Sequence, residues 1–156
     1  MSRQTLRHAL ATLAYRSQKS IRGAPPEFAG FRASPTSRTP VEIVAHMADL
    51  FDWACSYSQG RGVWAPLPAA TWEETATRYT CALQAFDAIL ASGADLGTSE
   101  EKLFQGPVAD ALTHTGQLAM LRSLFGAAIK GENYFVARIE IGSLGPDQAS
   151  PVREFD

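Results

Sequence analysis

The chain has 156 residues, long enough to bury a core without disulfides or a structural metal, so one domain is expected. Its 46% hydrophobic and 19% charged residues exclude a disordered chain, and 14 basic against 16 acidic side chains leave a net charge of -2, too little to neutralise a run of phosphates. Nucleic acid is therefore not an expected partner, and no segment has the roughly 18 uninterrupted apolar residues that a membrane-spanning helix needs.

Leu6, Ala9, Leu10 and Leu13 recur at three and four residues and predict an amphipathic first helix over residues 2–20. Arg7, His8 and Arg16 interrupt its apolar run, so it does not read as a secretion signal, although an acid-poor amphipathic start is shared with organelle transit peptides. The cysteines Cys55 and Cys81 form neither a disulfide framework nor a CxxC motif, which points to buried free thiols in a reducing cytoplasm. Residues 21–38 contain Pro25, Pro26 and Pro35 and little periodicity, so they read as a long connection pinned by Phe28 and Phe31.

Thr39-Pro40-Val41-Glu42 combines an N-cap threonine, proline at the first helical position and a glutamate three residues on, which predicts a helix over 39–58. Ile43, Met47, Leu50 and Ala54 form its inward stripe, flanked by His46, Trp53 and Tyr57. Thr71 and Glu74 repeat the capping-box spacing, and Trp72, Ala76, Tyr79, Leu83, Phe86 and Leu90 follow at helical steps, predicting a third helix over 71–92 with this stripe buried. Gly106-Pro107 reads as the opening of a fourth helix over 107–126, with Asp110, His114, Leu118, Leu121 and Phe125 on one face. Beyond it, Phe135, Ala137, Ile139 and Ile141 alternate with Tyr134, Val136, Arg138 and Glu140, the period of an extended arm over 134–141. That arm needs partners for its amides, so it is expected to pack over the bundle, to meet the loop around Phe28 to Phe31, or to pair across a homodimer axis. The expected architecture is all-α: a four-helix bundle over residues 1–141 with a short extended C-terminal arm, and an irregular tail over 142–156.

Asp110 and His114 lie four residues apart on one helix, so their side chains leave successive turns toward the same point and can ligate one ion. Asp-x-x-x-His is common by chance, and a third ligand has to come from another helix. His46 is the only other histidine expected to face inward, His8 lying on the arginine-rich flank of the first helix. Taken singly, His46 and His114 read as core-edge histidines hydrogen-bonded to a neighbour. A carboxylate on an apolar face is costly unless paired or bound to metal, and Asp110 has Arg122, Arg38 or solvent as its other possible partners. Asp49 and Gln117, one turn beyond His46 and His114, are placed to orient ligands or to face solvent. Trp53, Tyr57, Trp64, Trp72 and Tyr79 read mostly as core, with some free to wall a pocket.

Three stretches resemble the DinB/YfiT-like superfamily of bundle proteins. Thr39-Pro-Val-Glu-Ile-Val-Ala-His46 looks like that family's second-helix start with its metal histidine. His114-Thr-Gly-Gln117 is similar to the His-Arg-Gly-Gln stretch of its last bundle helix, with Thr115 in place of the usual arginine. Gly131-Glu-Asn-Tyr-Phe135 resembles a segment that follows the bundle in one group of these proteins. The family's remaining ligand, commonly histidine, sits four residues before the histidine of the last helix, where this chain has Asp110.

The resemblance implies a site of His46, Asp110 and His114 for a divalent metal, zinc or nickel foremost, with iron or manganese also compatible with two imidazoles and a carboxylate. It further implies a metal-dependent transferase or isomerase that takes a low-molecular-weight thiol and lowers its pKa at the metal, with the electrophile in a pocket roofed by loop 21–38 and the segment after the fourth helix. A metal-assisted hydrolase, with Asp49 or the free oxygen of Asp110 as base, is the related alternative. A non-catalytic, dimeric bundle acting as an interaction module is the alternative from another class.

Overall fold

A computed structural model describes residues 1–155, and among these there are helices, turns and one isolated bridge but no strand. α1 (Arg3–Ile21) starts at Ser2, whose hydroxyl accepts the amide of Thr5. α2 (Pro40–Ser58) and α3 (Trp72–Ala91) both open on complete capping boxes, Thr39 with Glu42 and Thr71 with Glu74. In each box the hydroxyl and the carboxylate satisfy two backbone amides that a helix start leaves free. These three helices begin and end within one residue of the spans read from the sequence.

The fourth rod begins earlier than Gly106-Pro107. Ser99 caps a short α4 (Glu100–Leu103), the chain passes through a π turn (Phe104–Val108), and α5 (Ala109–Leu124) follows without a break. Pro107 has no amide to donate and its ring crowds the preceding turn, so an α-helical ladder cannot pass it unchanged. The wider turn lets the Ala109 amide reach back to the Phe104 carbonyl, and the rod continues. Proline thus marks a bulge inside this rod and not its start.

α1 packs on α3 and α5, and α2 packs on the same two, so α1 and α2 lie diagonally across the bundle. The long 22–39 connection makes that diagonal crossing. Its short 3-10 turn (Pro26–Gly30) buries Phe28 completely, edge-on to Trp72 and Phe125, while Phe31 meets Phe125 as well. The core holds Leu6, Leu10, Met47, Phe51, Tyr79, Leu83, Phe86 and Leu118. The α3 stripe is buried from Tyr79 to Leu90, whereas Trp72 and Ala76 at its start are only partly buried. Among the described residues, no helix is long and apolar enough to cross a membrane.

The expected extended arm over 134–141 is not a strand. Residues Tyr134–Val136 form a 3-10 turn, the segment beyond Ala137 has no strand partner among the described residues, and the isolated bridge joins Glu132 to Glu154 instead. The alternation fails because the inward and outward sets mix: Tyr134 packs edge-on to Tyr15 and lies under Arg16, whereas Phe135 is 96% exposed. The tail is irregular but anchored. Leu144 enters the core, and the buried Glu132 carboxylate accepts from Tyr15 Oη and Lys19 Nζ, which also reaches Glu154. Arg122, a candidate partner for Asp110, instead donates to the carbonyls of Ala127, Ser20, Arg22 and Gly23 and so closes the end of α1.

Candidate metal centre

The seam between α2 and α5 carries the site. On α2, Ile43, Met47 and Leu50 fill the core, which turns His46 to the edge of the interface facing α5. On α5, Leu118 and Leu121 anchor the inward face and bring His114 and Asp110, one and two turns earlier, to the same seam. His8 is exposed on α1 and takes no part.

One donor atom from each of His46, Asp110 and His114 lies within 4.8 Å of the other two. His46 Nε2 is 3.6 Å from Asp110 Oδ2, and His114 Nε2 is 3.5 Å from Asp110 Oδ1. The imidazole rings stand edge-on, with centroids 4.8 Å apart. Metal bonds of about 2.1 Å at a tetrahedral angle place donors roughly 3.4 Å apart, and each nitrogen–oxygen separation is near that value, with each imidazole meeting a different oxygen of Asp110.

The hydrogen bonds around the site favour the same reading. Gln117 Oε1 lies 2.8 Å from His114 Nδ1, and the tautomer with its hydrogen on Nδ1 would donate to that oxygen and leave the Nε2 lone pair on the Asp110 side. In that tautomer His114 Nε2 and Asp110 Oδ1, 3.5 Å apart, are both acceptors, and a shared cation would relieve the juxtaposition. Burial holds the pKa of His46 below its ordinary value, helped by the charges of Arg38 and His114 and opposed by Asp110. A neutral imidazole at neutral pH is the form that ligates metal. The donor set fits a divalent ion: two imidazoles, and a carboxylate whose side chain is 46% exposed, leaving the solvent side open for a further ligand.

Two clefts reach the group. One, of about 620 Å³, exposes His46 and is walled by Trp64, Pro66, Leu67 and Pro68 from the α2–α3 connection. The other, of about 370 Å³, exposes His114 beside Ala33, Ser37, Met120 and Leu124. Loop 21–38 thus contributes a wall as expected, but the remaining wall is the 59–71 connection and not the segment after α5. That segment is taken up elsewhere, Tyr134 lying against Tyr15 and Glu132 accepting from Tyr15 and Lys19. Trp64 stands edge-on to both His46 and Trp53, joining the site to the aromatic flank of α2. Its stretch, Val63-Trp-Ala-Pro-Leu-Pro68, has no period that could have placed it.

Asp49 does not serve the metal group. Its buried carboxylate accepts from the Leu67 amide and from Arg78, which also binds Asp52, and so ties the 59–71 connection to α3. Arg78 gave no signal in the sequence, because its partner is distant in the chain. Cys55 and Cys81 are free thiols; Cys81 is exposed and not buried, and burial pushes the Cys55 thiol up to about 11, which makes it a poor nucleophile. Compared with family models, curated proteins and solved structures, the chain matches none, so the reading of this site rests on its own geometry.

Proposed function

We propose that the chain is a divalent-metal-dependent enzyme of the DinB-like type, carrying out thiol-dependent transfer or isomerisation in a reducing cytoplasm. The observation that supports it best is the convergence of His46, Asp110 and His114 beside two clefts, one exposing His46 and the other His114. A reaction between a thiol and a second molecule needs room for both at one centre, and two clefts provide it. Zinc or nickel held by these side chains would supply a Lewis acid that lowers the pKa of a thiol ligand. The protein's part is positional: Gln117 holds the His114 ring, and Trp64 and the prolines near it line the approach to His46.

The test uses tag-free protein purified without chelator. Metal analysis is expected to find near-stoichiometric zinc or nickel, and low-molecular-weight thiols are expected to raise the melting temperature of the metal-loaded protein but not of the metal-free protein. Failure to retain or take up metal overturns the reading. Metal uptake without any thiol effect favours metal-assisted hydrolysis, for which the second oxygen of Asp110 is the remaining base now that Asp49 is held by Arg78.

A second reading, a non-catalytic dimeric module, draws on the apolar side chains left in solvent: Met120 (66% exposed), Leu124 (60%) and Phe135 (96%). A stable dimer without metal uptake would favour it.

A further inference from the structure

Arg38 lines both clefts, the one that exposes His46 and the one that exposes His114. It is the one cation among the residues lining them. The acids on those walls are already engaged: Glu42 accepts from the Thr39 amide and from Arg32, and Asp49 accepts from Leu67 and Arg78. Arg38 is exposed and, among the described residues, has no hydrogen bond or ion pair. Its backbone is not loose, because the next residue is the buried N-cap Thr39, held by its capping box. A cation that lines two clefts and is left without an acid is open to an anion brought by a ligand.

Resting on the metal-dependent thiol reading above, we propose that Arg38 sets substrate specificity by receiving the carboxylate of a small organic acid whose reacting end lies at the His46–Asp110–His114 group. The guanidinium fork matches a carboxylate in two parallel hydrogen bonds. The wall of Trp64, Pro66, Leu67 and Pro68 suits a compact apolar body between the carboxylate and the reacting end. The ligand class is thus a low-molecular-weight carboxylate with an apolar middle, and not a neutral or cationic molecule.

The experiment uses the full chain loaded with cobalt(II) and two thiols as probes, 3-mercaptopropionate and its methyl ester. The sulfur-to-cobalt absorption band reports binding of each. Wild type is expected to bind the acid about tenfold more tightly, relative to the ester, than R38Q does, with ester affinity the same in both proteins. R38K should retain part of the preference and lose it more steeply with added salt, since a point charge replaces a fork. Comparing ratios between proteins cancels the intrinsic difference in thiol acidity. Equal acid-to-ester ratios in wild type and R38Q, with both probes bound, overturn this inference and leave the metal and thiol reading standing. Absence of cobalt uptake, or uptake without binding of either thiol, overturns that reading and this inference with it.

Discussion

Asp110 decides how hard the site is. A carboxylate beside two imidazoles would lower the net charge of a bound divalent ion, whereas three imidazoles would make a softer and more positive set. Changing Asp110 to Ala is expected to weaken zinc or nickel binding, and Asp110 to His to strengthen it, measured by competition with a chromophoric chelator. Equal affinity across the three proteins would mean that Asp110 is no ligand. His46 sets the pH dependence. Its folded pKa lies below the unfolded value of about 6.5, so below that pH the unfolded chain takes up the proton first. The stability it contributes is present above that pH and is lost as pH falls toward the folded value. The metal-free protein should therefore lose melting temperature as pH falls below about 6.5, and His46→Gln should flatten that part of the profile. An unchanged profile would place the titration on another group.

Two junctions between elements hold the frame of the site, and they differ in kind. The Thr39 cap starts α2 two turns before His46, and Thr39→Ala should cost about 1 kcal/mol in denaturant unfolding. Gly97, before α4, meets the start of the α2–α3 connection: its amide donates to Ser58 at 2.8 Å, and a Cβ there would lie 2.4 Å from the Gly60 nitrogen. Backbone would have to move to admit it, so Gly97→Ala should destabilise by about 1–3 kcal/mol or more. Because it displaces the connection that carries Trp64, it should also weaken metal binding, unlike a cap variant of equal stability cost. A Gly97→Ala protein as stable as wild type would show that the two connections are not pressed together in solution.

For the molecule as a whole, the fold leaves Met120 and Leu124 on α5 and Phe135 beyond it in solvent. Pairing of two chains through a helix face and residues 134–141 would cover such side chains, and the backbone of a free strand no longer supplies the motive, since that segment is not a strand. Sedimentation at micromolar concentration is expected to show a dimer that Phe135→Ser weakens. A monomer across that range removes the dimer. The clefts at the α2–α5 seam are formed within one chain, so metal uptake should be unaffected by the variant that weakens pairing.

Local chemistry was legible along the chain wherever one helix turn was enough to express it. The paired Thr and Glu residues marked the starts of α2 and α3, helical spacing marked the core faces, and a four-residue offset brought Asp110 and His114 together. His46 could be joined to them because its place beside the α2 stripe left few faces for it to meet. Contacts between distant segments were not legible, since nothing periodic records them. Pro107 read as a helix start because proline is common there, and only the packing of α4 and α5 as one rod explains why it lies in a π turn. Residues 134–141 alternate like a strand, yet an alternating segment becomes a strand only where a neighbour accepts its amides, and the bundle offers none. Asp49 looked like a metal-site residue until the fold brought Arg78 to it, and Trp64 had no pattern at all until the 59–71 connection lay against His46. Donor types and their spacing on a helix belong to the amino-acid order; which neighbour captures each donor depends on distances that folding alone creates.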